Sequence, residues 1–173
     1  MPLLEVKDID VFYGDVQVVK PFASKTVLYN ATVGAFAKTG VRAKAEAKAL
    51  EVLQYLHLDK KKDATAGNLT IAERKRLEIA RALATEPKLL LLDEVMAGLR
   101  PTEVDEMVQI IKDMRSKGVT IFLIEHIMRA VMTLSDRIVV LQYGKKIAEG
   151  TPKEIATDEK VIKAYLGEDY AAA

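Results

Sequence analysis

Four consecutive leucines, Leu89 to Leu92, run directly into Asp93 and Glu94. A strand with one wet face alternates apolar and polar residues, so an unbroken apolar run predicts a strand buried on both faces of a parallel sheet. The carboxyl end of such a strand is where open α/β sheets bind their ligands. Two acids there need water, a cation or a partner, because an unpaired buried charge is expensive. Taken alone, the pair fits a solvated strand-to-loop junction equally well, and the surrounding chain has to decide.

About 30 residues downstream, a second continuous apolar run, Val119 to Ile124, ends in Glu125 and His126. That spacing brings an imidazole to the same edge of the sheet. Between the two strands lie Ala97-Gly98-Leu99-Arg100-Pro101 and a helical stretch, Pro101 to Lys117, opened by proline and closed by Gly118. Upstream, Asn68-Leu69-Thr70 precedes a helix carrying Leu77, Ile79, Ala80, Leu83 and Ala84, which must stop before Pro87. Residues Thr26 to Leu58 show one or two amphipathic helices, with Ala45, Ala49, Val52, Leu53 and Leu56 at helical spacing. The basic run Lys60 to Lys62 reads as a solvated turn.

The two ends have their own signatures. Leu3 to Val6 and Ile9 to Tyr13 are short β-favouring stretches ending at Gly14-Asp15, an edge hairpin. After a helix over His126 to Ser135, Arg137 to Gln142 is a strand, and Tyr143-Gly144-Lys145 turns it into Lys146 to Ala148. Thr151-Pro152-Lys153-Glu154 starts a short helix with a capping residue, a first-turn proline and an acid at the third position. Strand and helix alternate from residue 88 onward, which predicts an α/β layer with a parallel sheet.

Composition limits the chemistry. Of 173 residues, 26 are basic and 25 acidic, a formal charge of +1, so no global field attracts nucleic acid or an anionic membrane. Zero cysteines exclude disulfides and thiolate metal sites, and two histidines argue against a multi-histidine metal centre. No apolar run reaches the length of a membrane span. A cytoplasmic chain that meets the membrane only through a partner is expected.

The ordered series from Leu69 to His126 strongly resembles the C-terminal two-thirds of ABC-transporter ATPases, and within them the branched-chain amino-acid importer group. In that family a signature loop and helix are followed by the Walker B strand, the D-loop and a strand ending in the switch histidine. The resemblance covers about residues 22 to 170, including the closing stretch Val161 to Gly167, and residues 3 to about 20 resemble the family's N-terminal hairpin. It implies a P-loop NTPase-like α/β fold, a partial parallel sheet with an inserted helical subdomain. The divisions are residues 1–20 (hairpin), 21–86 (helical subdomain with signature loop) and 87–173 (C-terminal part of the ATPase core).

The same resemblance implies roles. Asp93 would hold Mg²⁺ through water, Glu94 would act as general base on the attacking water, and His126 would contact the γ-phosphate. Tyr13 would stack on adenine, though by itself a tyrosine ending an edge strand is ordinary packing. Leu69, Thr70, Ile71, Ala72 and Glu73 would form the signature loop, which reaches the ATP of a second nucleotide-binding subunit. ATP, Mg²⁺, that second subunit and transmembrane permease subunits are the implied cofactors and partners. The implied location is the inner face of the plasma membrane, without nucleic acid.

The pattern breaks at three places. No segment matches the Walker A loop, G-x-x-x-x-G-K-S/T, whose backbone N–H groups and lysine hold phosphates. Gly34 to Gly40 lacks the lysine and hydroxyl and reads as a turn. Roughly 60–70 residues of a domain of ordinary size are absent between Gly14 and Pro21, so the first part of the core is missing. Gln17 fits the end of the hairpin, and by its spacing to Phe22 it equally fits the Q-loop glutamine that ligates Mg²⁺. The signature loop reads Leu69-Thr70-Ile71-Ala72-Glu73 where Leu-Ser-Gly-Gly-Gln is common, and Arg100 replaces the usual D-loop Asp or Asn. Three functions are therefore carried forward: an importer ATPase whose intact molecule includes the missing segment, a truncated non-catalytic interaction module, and the ATPase of another system such as lipopolysaccharide export.

Overall fold

A computed structural model describes residues 21–166. Of these, residues 21–125 form one compact unit and residues 126–166 another. Tyr13, Gln17 and the predicted N-terminal hairpin lie outside the described residues.

The larger unit begins with two helices, α1 (Val27–Thr39) and α2 (Arg42–Tyr55). Thr26 caps α1 by accepting the Tyr29 N–H, and Gly40, at φ 62°, ends it in the left-handed conformation that glycine adopts without strain. Gly34 is no turn. It sits in the middle of α1 because a Cβ there would lie 2.2 Å from the Arg81 carbonyl oxygen, so glycine lets α1 approach the backbone of α3 (Ile71–Leu83). Asn30, fully buried, ties the incoming chain to α1. Its Oδ1 accepts the Phe22 N–H at 2.7 Å, and its Nδ2 donates to the Phe22 and Thr26 carbonyls. The core between these helices holds Leu53, Leu56, Leu58, Leu77 and Ile79, each worth about 1.5–3 kcal/mol when fully buried.

After α3 come β1 (Leu89–Asp93), α4 (Pro101–Ser116) and β2 (Thr120–Ile124). The two strands pair in parallel, from Leu89 opposite Thr120 to Asp93 opposite Ile124. α4 makes the crossover that a parallel pair needs, and buries Val104, Met107, Ile111 and Met114. The strands are not buried on both faces as the leucine run predicts. Leu90 and Leu92 are buried, but Leu91 is 65% exposed, and Phe122 and Ile124 on β2 are about half exposed. Among the described residues the sheet has only these two strands, and the face that Leu91 occupies is left open.

The smaller unit holds α5 (Met128–Leu134), the antiparallel pair β3 (Ile138–Gln142) and β4 (Lys145–Gly150), and the short helices α6 (Pro152–Thr157) and α7 (Glu159–Leu166). Tyr143 and Gly144 both have positive φ, the geometry of a tight hairpin turn matched to strand twist. Ile138, Ile155 and Val161 form its core with Val131, Met132, Val140 and Ala148. The predicted cap at Thr151 is present: its hydroxyl accepts the Glu154 N–H, and Glu154 accepts the Thr151 N–H at 2.7 Å.

Candidate functional site

Asp93 ends β1, exposed, and Glu94 leaves the strand with φ 46°. A residue with a Cβ adopts that left-handed conformation only where its surroundings over-determine it. Here the Glu94 N–H donates to the Ile124 carbonyl at 2.9 Å, extending the ladder by one bond. Its carbonyl accepts the Ala97 N–H at 3.2 Å and the Lys75 ammonium at 3.1 Å. Met96, fully buried, gives its N–H to Glu125 Oε1 at 2.8 Å. Two exposed acids therefore stand at the carboxyl end of a strand on a backbone fixed by β2 and α3.

The next segment joins this turn to the start of α3. Gly98 has φ 76°, and a Cβ on it would meet Ile71 at 3.8 Å. Arg100 packs its guanidinium on Glu103, and Glu103 also accepts the Arg100 N–H, so both contacts serve the first turn of α4.

The five residues that the resemblance assigns to the signature loop divide by face. Leu69 and Ala72 are buried, while Thr70 and Ile71 are exposed. Thr70 caps α3: its hydroxyl accepts the Glu73 N–H at 3.3 Å, and the Glu73 carboxylate accepts the Thr70 N–H at 3.0 Å. Glu73 also pairs with Lys61 at 2.6 Å, so the basic run is not simply a solvated turn. Burial pushes the Glu73 carboxyl up, but Lys61 and the Thr70 N–H outweigh it and hold the group below the usual carboxylate range. A cleft of about 330 Å³ opens beside this helix, lined by Pro21, Ala23, Gly67, Ile71, Arg74 and Lys75. Asp93 and Glu94 do not line it.

His126 belongs to the smaller unit, where its carbonyl accepts the Tyr165 hydroxyl at 2.7 Å and its side chain is exposed. Asp93 and Glu94 are brought together with the segment that leads into α4. Lys61, Lys75 and Glu125 escape sequence reasoning because each acts through a hydrogen bond or ion pair to a residue 12 or more positions away, and Asn30 because its three bonds to Phe22 and Thr26 have no residue pattern that encodes them. Only Glu125, placed beside His126 at a strand end, carries a local hint.

Among the described residues no group of three or more His, Cys, Asp or Glu could by itself hold a metal ion. Mg²⁺ does not require one, since it is commonly bound by one or two carboxylates together with phosphate oxygens and water. Asp93 suits that manner of binding. The phosphate-holding half has no counterpart in this sequence.

The model of the ABC transporter family matches residues 6–97, and that of the branched-chain amino acid ATP-binding cassette transporter matches residues 145–171. The high-affinity branched-chain amino acid transport ATP-binding protein BraF of Pseudomonas aeruginosa is 43% identical over 136 residues, covering 76% of this chain and 53% of its own length. LivG of Salmonella typhimurium, described in the same words, is 40% identical, covering 88% of this chain and 66% of its own. The lipopolysaccharide export system ATP-binding protein LptB of Escherichia coli is 39% identical over 72% of this chain. An ATP-binding cassette of an ABC transporter in its ADP conformation superposes with a TM-score of 0.72 at 30% identity, covering 84% of this chain and 64% of that one. This chain thus spans about half to two thirds of the length of the curated relatives it matches. With the family model matching more than half of it, and relatives about 40% identical over most of its length, the chain belongs to the ABC transporter ATP-binding family.

Proposed function

We propose that this chain supplies the water-activating half of an ATP-hydrolysing site in a branched-chain amino-acid importer. The observation that carries the proposal is the pair Asp93 and Glu94 at the end of β1, with the Glu94 backbone held in a left-handed turn by Ile124, Ala97 and Lys75. Asp93 would hold Mg²⁺, which supplies charge neutralisation for transferring phosphoryl oxygens when bound. Glu94 takes the proton of the attacking water. Thr70 keeps its hydroxyl hydrogen available while its oxygen accepts the Glu73 N–H, so it can donate to a phosphate oxygen across a dimer. His126, exposed, is assigned the γ-phosphate contact. The match at residues 145–171 favours amino-acid import over lipopolysaccharide export. Permease subunits and a second ATP-binding subunit are the proposed partners, and they account for membrane association of a chain in which no described helix can cross a bilayer.

A non-catalytic interaction module is the second reading, favoured by the missing phosphate-binding loop and by the open sheet face at Leu91 and Phe122. Two measurements separate them. Intact mass near 19.1 kDa, with no ATP binding by calorimetry, would favour the non-catalytic module, whereas a mass of roughly 26 kDa would mark an ATPase whose intact molecule includes the missing segment. Micromolar ATP binding would instead remove the non-catalytic reading. Inserting the phosphate-binding segment of a LivG relative between Gly14 and Pro21 should then give ATP turnover. Glu94→Gln in that completed chain should lower kcat by about 10²–10⁴ while ATP still binds, and unchanged turnover would refute the general-base role.

A further inference from the structure

The turn carrying Glu94 is held largely by backbone groups, with one side-chain carboxylate among the holding atoms. As the chain turns off β1, the Met96 N–H leaves the strand ladder while Met96 itself is fully buried. A buried N–H without an acceptor is destabilising, so the turn requires an oxygen at that place. Glu125 supplies it, with Oε1 at 2.8 Å from the Met96 nitrogen and 29 residues distant in sequence. Glu125 directly follows Ile124, whose carbonyl accepts the Glu94 N–H. The end of β2 therefore grips the turn twice, by backbone at Glu94 and by side chain at Met96.

We propose that Glu125 is a positioning residue for Glu94: by accepting the Met96 N–H it fixes the left-handed turn that sets the direction in which the Glu94 side chain leaves the strand. The inference rests on Glu94 being the base of the reaction proposed above. A carboxylate suits the task because a charge-assisted acceptor is roughly twice as strong as a neutral one, and because its length bridges the two strand ends. Glutamine keeps the length and one acceptor oxygen, whereas alanine keeps neither.

Amide hydrogen exchange and NMR shifts of the 173-residue chain test this directly. Glu125→Ala should speed Met96 N–H exchange by at least about tenfold beyond any change shared by the Leu90 and Leu92 amides, and should move the Glu94 Cα and amide shifts. Glu125→Gln, with a neutral acceptor in the same place, should leave both between wild type and Glu125→Ala and nearer to wild type. An unchanged Met96 amide in Glu125→Ala would overturn the proposal. So would a uniform acceleration along β1, which marks general loss of stability, or Glu125→Gln behaving like Glu125→Ala. Turnover that survives Glu94→Gln in the completed chain would reject Glu94 as base, whereas Met96 exchange would still report whether Glu125 holds the turn.

Discussion

Lys61 Nζ lies 2.6 Å from Glu73 Oε1, and the other Glu73 oxygen accepts the Thr70 N–H at 3.0 Å. One carboxylate thus closes the capping box of α3 and neutralises a cation from the short 3-10 turn Asp59–Lys61. Where the resemblance implies a neutral glutamine, a charge pair stands instead.

The pH dependence follows from the direction of the shift. Glu73 is held below its ordinary 4.5 in the folded chain, so its stabilisation is complete above that value and is lost as pH falls through the lower folded value. Thermal unfolding of wild type and Glu73→Gln should differ most at about pH 7 and converge in strong acid. Lys61→Met should narrow the difference. Lys61 is half exposed, so its own share is expected to be within about 1 kcal/mol. A wild-type advantage that grows toward acid would contradict the assignment.

Gly34→Ala should destabilise the larger unit. The added methyl would meet the Arg81 carbonyl at 2.2 Å, and the obstacle is backbone, which cannot rotate away. Overpacking of this kind costs about 1–3 kcal/mol, against the modest gain that alanine usually gives inside a helix. Urea unfolding measures the balance, and a more stable variant would show that α1 can draw back from α3 at no cost.

Asn30 makes a sharper chemical distinction. Its amide both accepts from the Phe22 N–H and donates to two carbonyls, and an aspartate keeps only the accepting half. Asn30→Asp should therefore destabilise more than Asn30→Ala, because a buried charge would face two carbonyl oxygens. Asn30→Ala should itself cost about 1–3 kcal/mol through the Phe22 N–H left without its acceptor. The reverse order in chemical denaturation would mean that the Phe22 segment moves away on substitution.

Much of the fold is legible in local pattern. Pro101 and Gly118 bracket α4, Thr151 to Glu154 start α6, and Tyr143-Gly144 turn β3 into β4, each through a conformational or capping preference carried by the residues themselves. Asp93 and Glu94 stand out because acids ending an apolar run are unusual. The burial of β1 is not legible. Leu91 has the composition of an enclosed residue, but enclosure depends on what lies on the other side of the sheet, and a leucine run cannot record that. Gly34 misleads for a similar reason: glycine serves turns and close helix contacts alike, and only the position of Arg81 distinguishes them.

The left-handed backbone at Glu94 sets stability and chemistry against each other. Glycine would relieve the strain, which for a residue with a side chain is on the order of 1–3 kcal/mol, yet it would remove the carboxylate. Selection for thermal robustness alone would therefore favour the substitution Glu94→Gly, and, on the general-base role proposed above, selection for turnover of the completed chain would hold glutamate in place. A library of the completed chain, sorted in parallel for heat resistance and for nucleotide hydrolysis, should diverge at this codon.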